Sequence, residues 1–158
     1  MIRINKILEN STFLKCLQDI EKAEKERIFC RHDIEHLLSV ARIMQIYALE
    51  HSIDIDKEII YAAALLHDIG RANAYRLNTD HAEESAKIAQ RILTDLGFND
   101  KETGEIVFAV LHHNDSENSN ELCSLLRTAD KQSRNCFLCS AYKECNWNEN
   151  KKNKGIIV

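Results

Sequence analysis

Ala62-Ala63-Ala64-Leu65-Leu66-His67-Asp68-Ile69-Gly70-Arg71 is the stretch that decides how this chain reads. An apolar run from Ile59 to Leu66 closes on an imidazole and a carboxylate side by side. Burying such a pair is costly unless both groups are satisfied, and a metal ion satisfies both. The competing reading is a helix C-terminus carrying an incidental polar pair, since histidine suits the negative end of a helix dipole. The pair alone leaves the two readings open.

Candidate partners stand on both sides. Upstream, Arg31-His32-Asp33-Ile34-Glu35-His36 leads into the apolar positions Leu37, Val40, Ala41, Met44, Tyr47 and Ala48. Downstream come His81, the doublet His112-His113, and Asp130 in Leu125-Leu126-Arg127-Thr128-Ala129-Asp130-Lys131. The order His36, then His67-Asp68, then Asp130, with His-Asp-Ile-Gly at its centre, resembles the HD-domain superfamily of metal-dependent phosphohydrolases. The resemblance covers residues 30 to 135, and each motif falls on a helix with apolar flanks.

The bulk properties are compatible. The chain has 158 residues, enough for one domain with a real core, and 44% are hydrophobic. No apolar run reaches the length of a membrane span. The N-terminus lacks the uninterrupted apolar stretch of a signal peptide, so a cytoplasmic protein is expected. A formal net charge of −4 argues against a nucleic-acid polymer as partner. It does not exclude a small phosphorylated substrate, because a metal's charge dominates locally.

Proline is absent and glycine occurs only four times. Few helix breakers and recurrent helical periodicity predict an all-α fold. The expectation is a single helical-bundle HD domain of about six helices over residues 1–135, with a short cysteine-bearing C-terminal extension, 136–158, packed on it. The helices are expected from Asn5 to about Arg27, Asp33 to His51, Asp54 or Asp56 to His67-Asp68, Asp80 to Leu96, Asp100 to His113, and Glu121 to Arg134. The charged run from Asp19 to Arg27 reads as a solvated face. Gly70 reads as a chain reversal, Arg71–Thr79 as a loop, and Asp115–Asn120 as a polar loop.

The resemblance implies a metal set of His36, His67, Asp68 and Asp130. Two imidazoles and two carboxylates suit Fe, Mn, Co, Ni or Zn. Some members of the superfamily hold a second ion with additional histidines, the Asp of the His-Asp pair bridging the two. His81 and His113 stand in suitable places for that role, with His112 the alternative or additional ligand. Successive helical residues point about 100° apart, so one of the doublet faces elsewhere. His32, one turn before His36, reads as an extra ligand, a phosphate contact or a surface residue. Arg71, Lys131 and Arg134 are the candidate cations for phosphate, each with a plain reading as a solvated charge.

The implied activity is hydrolysis of a small phosphate ester, a nucleotide or related metabolite, by metal-activated hydroxide with Asp68 central. Phosphomonoesterase and phosphodiesterase are both open. The branch acting on cyclic di-GMP carries Gly-Tyr-Pro after its His-His motif. Here Asn114-Asp115-Ser116-Glu117-Asn118 follows, which argues against that branch. The chain is also shorter than the large alarmone hydrolases. Two alternatives stay open: an HD-type di-iron oxygenase, and a non-catalytic metal or redox sensing module.

Six cysteines without a secretion signal do not read as a disulfide framework. Cys136, Cys139 and Cys145 form Cys-x2-Cys-x5-Cys, a spacing suggestive of a thiolate site for zinc or an iron–sulfur cluster. Cys30 or Cys123 would supply a fourth ligand. The plain reading is reduced cysteine packing as a small hydrophobe.

Overall fold

The computed structural model describes residues 1–115, 117 and 119–156. Among these there is no strand. The elements are α1 (Ile2–Glu9), α2 (Ser11–Ala23), α3 (Ile34–Glu50), α4 (Lys57–Leu66), α5 (Arg71–Leu77), α6 (His81–Asp95), α7 (Asp100–His112), α8 (Glu121–Gln132) and a 3₁₀ turn, Cys136–Leu138. The expected all-α fold is what the structure shows. Ser116 and Asn118 of the expected 115–120 loop lie outside the described residues.

α4 is apolar almost all round, so it must be surrounded. Ile60 and the run Ala62 to Leu66 are fully buried. α3, α7 and α1 pack on it, with α6 and α8 completing the shell. α3 also packs on α8, and α6 on α7. The core between them is built from Leu37, Met44, Leu65, Ile92, Ile106 and Leu126. Short polar residues start most helices by accepting orphan backbone N–H bonds. Asp33 caps α3, Asp56 α4, Asp80 α6 and Asn120 α8, while Asn99 and Glu102 form a capping box on α7.

Four local expectations need correction. The single helix from Asn5 to Arg27 is two helices, because Asn10 is extended and its side chain accepts from the backbone of Thr12 and Phe13. Arg71–Thr79 is mostly helix, α5, stopped at Asn78 in the left-handed conformation with φ 54°. Glu24 is not on a solvated face but 2% exposed. Gly70 makes no left-handed reversal, since its φ is −87°. What it supplies is space: a Cβ there would meet the Ser85 backbone nitrogen at 2.3 Å. The Gly70 N–H donates to Ser85 Oγ at 2.9 Å, pinning α6 across the turn after α4.

Candidate metal centre

His67 and Asp68 lie just past the end of α4, at the bottom of the core, 0% and 1% exposed. A helix end leaves its last carbonyls unpaired. His67 Nδ1 donates to one of them, Ala64 O, at 2.7 Å. A carbonyl only accepts, so Nδ1 carries a hydrogen and Nε2 is the atom turned into the centre. His113 repeats the device past the end of α7, its Nδ1 donating to Val110 O at 2.7 Å. His36, in the first turn of α3, reaches the same state through Ser133. That hydroxyl donates to Asp130 O at 2.7 Å and accepts from His36 Nδ1 at 3.1 Å.

The side chains fall into two groups that share Asp68. In each, the potential ligand atoms all lie within 4.8 Å of one another: His36, His67, Asp68 and Asp130 in one, Asp68, His81 and His113 in the other. The two Asp68 oxygens divide the work. Oδ2 stands 3.2 Å from His67 Nε2 and 3.9 Å from His36 Nε2. Oδ1 stands 3.5 Å from His81 Nε2 and 3.9 Å from His113 Nε2. Asp130 Oδ1, from α8, is 3.3 Å from His36 Nε2.

The donor set fits divalent cations on a direct observation. His67 Nε2 and both Asp68 oxygens are buried without a hydrogen-bond partner. Buried polar atoms are rarely left so, and orphaned charged ones are expensive. These atoms face one another, and a divalent cation between them would satisfy them together. Electrostatics says the same. Burial opposes charge on His67, Asp68 and Asp130, yet mutual attraction keeps both carboxyls well below their ordinary range and raises His67. Burial holds His36 and His113 down to about 4, so at neutral pH they are uncharged bases.

Cations and an amide mark the same points. Arg134 donates to His36 Nε2 at 3.0 Å and to Asp130 Oδ1 at 3.1 Å. Arg71 Nε stands 2.9 Å from Asp68 Oδ1. Asn114 Nδ2 lies 3.1 Å from His81 Nε2 and 3.0 Å from His113 Nε2, at the point both lone pairs address. His112 is not brought in. Its ring packs at a tilt of 44° against Phe108 and faces Asp115 at 3.7 Å, outside both groups. The reason is the rotation between neighbours at the end of α7, which turns His113 inward.

Beside the centre opens a cavity of about 610 Å³. Arg27, Arg71, Lys131, Arg134 and Lys152 line it with cationic side chains, and Phe29, Tyr142 and Trp147 with aromatic ones. Cys30, Cys136, Cys139 and Cys145 also line it, whereas Cys123 is buried and does not. Two parts of the site escaped the sequence. Asn114 carried no ligand signal. Glu24 accepts from the His32 ring at 2.6 Å and the His32 backbone at 2.8 Å, and from Tyr75 Oη at 2.6 Å. His32 is thereby buried, with Nε2 3.7 Å from Asp68 Oδ2. The surface reading of His32 is therefore wrong.

The fold accords with the comparisons to known proteins. The HD domain family model matches residues 33–139, more than half of the chain. The chain belongs to the HD-domain family. It is 41% identical over 153 residues to a Clostridium beijerinckii protein named "Uncharacterized protein", spanning 97% of both. It is 31% identical over 117 residues to "Putative phosphohydrolase YueE" of Bacillus subtilis, covering 64% of this chain and 65% of that one. It is 32% identical over 98 residues to "Ribonuclease Y" of Acetivibrio thermocellus, covering 61% of this chain but only 17% of that protein. No solved structure gives a significant match.

Proposed function

We propose that this protein is a metal-dependent phosphohydrolase acting on a small phosphate ester, a nucleotide or a close relative. Family membership and the relative named as a phosphohydrolase support the general class. The observation that carries the reading is the pair of ligand groups sharing Asp68 beside a cavity lined with cations and aromatic rings. His36, His67, Asp68 and Asp130 would hold one divalent ion, and Asp68, His81 and His113 a second. Such ions supply a water of lowered pKa and charge for the phosphoryl oxygens.

The chain's own residues do the rest. Arg71 and Arg134 stand at the rim of the centre, aimed by their carboxylate partners, where a guanidinium can donate to two phosphoryl oxygens. Lys131 adds a cation to the same wall. Trp147, Tyr142 and Phe29 offer flat surfaces for a base, an interaction worth about 1–3 kcal/mol per stacked base. Residues 1–135 are proposed as the catalytic unit and 136–158 as an extension that walls its cavity. No described helix is long and apolar enough to cross a membrane.

The paired groups also suit a di-iron oxygenase, so oxygen belongs in the test. Protein purified without chelator would be analysed for metal. It would then be assayed with nucleoside mono- and diphosphates and a dinucleotide, with and without dioxygen. Phosphate or nucleotide release independent of oxygen is expected. Turnover that requires oxygen would replace this reading with the oxygenase, and bound metal without turnover would leave a sensing module.

A further inference from the structure

We propose that Cys30, Cys136, Cys139 and Cys145 are the ligands of an iron–sulfur cluster of the four-iron type, seated in the outer wall of the cavity. The four sulfur-bearing residues come from two distant parts of the chain, and all line one cavity. Cys136 and Cys139 share one turn of 3₁₀ helix, where Cys139 N donates to Cys136 O at 3.1 Å. Cys30 stands at the start of the His32–His36 segment, and its carbonyl accepts from Arg27 Nε at 2.9 Å. Burial pushes the Cys30 thiol up, and Cys136 and Cys139 push it the same way, against Arg134, which places all three near it.

The segment bearing Cys145 is anchored rather than loose. Asn153, 7% exposed, donates to the carbonyls of Lys131 and Arg134, both at 2.8 Å, and to that of Gln132 at 3.3 Å. Lys152 Nζ donates to Tyr142 O at 2.8 Å. These bonds hold the Cys139-to-Cys145 stretch against the cavity.

The spread of the sulfurs favours a cluster over zinc. A tetrahedral Zn–S₄ site, with bonds of about 2.3 Å, places its sulfurs about 3.8 Å apart. Among the described residues the groups with all ligand atoms within 4.8 Å are the two built on Asp68, and no three of these sulfurs form another. All six cysteines are free, so no disulfide draws them together. A four-iron cluster interposes its own iron and sulfide atoms and holds four thiolates wider apart. Four thiolates on such a cluster leave a net negative charge. Arg27, Lys131, Arg134 and Lys152 line the same cavity and offset it.

The inference does not depend on hydrolysis, since its primary readout is composition. The full chain would be isolated anaerobically and analysed for iron, acid-labile sulfide and zinc. About four sulfide and at least as many iron per chain are expected, with a broad visible absorption that bleaches on reduction. Sulfide separates the cluster from iron at the histidine centre, which contains none. Cys139→Ser and Cys145→Ser should lose sulfide while remaining folded by circular dichroism. Cys16→Ser, on α2 outside the cavity, should keep it. His67→Ala should lose iron from the histidine centre and retain full sulfide. Zinc bound without sulfide would overturn the cluster. So would thiols that stay metal-free after anaerobic incubation with ferric and ferrous iron and sulfide. If Cys139→Ser fails to fold, the composition of the native chain decides the matter.

Discussion

Three imidazoles in this centre are aimed by inexpensive local chemistry. His67 and His113 each return Nδ1 to a carbonyl of the helix they follow, and Ser133 does the same service for His36. Such supporting bonds typically carry 10–100-fold in metal affinity. Ser133→Ala should therefore weaken metal binding by about tenfold or more, with little loss of fold. Calorimetric titration with manganese or zinc measures it, and an unchanged affinity would refute the orienting role. Glu24 gives a pH-dependent counterpart. Burial pushes its carboxyl up, but bonds from His32 and Tyr75 outweigh this and lower it from 4.5 to about 2. A depressed carboxyl stabilises the fold above its unfolded pKa and loses that contribution as pH falls through the folded one. Urea unfolding should thus show Glu24→Gln less stable than the parent by about 1–3 kcal/mol at neutral pH, the gap closing between about pH 4.5 and about 2. A gap independent of pH would mean that the charge of Glu24 contributes nothing. The sequence hid this residue because Glu24 sits in a run of charges, and only tertiary packing against His32 separates it from them.

At the scale of elements, the long amphipathic helices were legible because burial leaves a 3.6-residue stripe. α4 and its terminal His-Asp pair were read directly. α5 was not, because seven residues beginning at Arg71 make fewer than two turns, too few to show a period. The break at Asn10 was missed because the apolar stripe runs through it from Ile7 to Phe13, while the capping bonds are purely local. His81 reaches Asp68 only because α6 crosses the α4–α5 turn at Gly70. Gly70→Ala forces a methyl group onto the backbone of Ser85 and Glu84, atoms that cannot rotate away. A loss of about 3 kcal/mol in stability is expected. The more specific consequence is displacement of α6, weakening the His81–His113 group more than the His36–Asp130 group. Two-step metal titration reads this, and equal loss at both steps would mean that Gly70 matters only to folding.

For the whole molecule, the centre is a point where six side chains from five parts of the fold meet. The types were legible, but the convergence is tertiary, and no spacing encodes it. His112 and His113 show the limit: their order along the chain is clear, whereas which one turns inward is set by how α7 packs. Metal should consequently act as a fastener of the whole fold. A ligand at about 100 times its dissociation constant adds about 2.7 kcal/mol to stability. For a chain of this size that is about 5–10 °C in melting temperature. Adding manganese or zinc to chelator-treated protein should give such a rise, and Asp68→Ala should abolish it. A control comes from the other end of the molecule. Arg3 joins α1 to α4 and α7, its Nε 2.6 Å from Glu58 Oε2 and its NH1 2.7 Å from Glu102 Oε2. As a partly exposed network it contributes about 1 kcal/mol. Arg3→Ala should lower the melting temperature of both forms equally and leave the metal-induced rise intact. If Asp68→Ala kept the rise, the stabilising ion would be bound somewhere other than the His36–His67–Asp68–Asp130 group. If Arg3→Ala lost it, the rise would report general stability and not ligation.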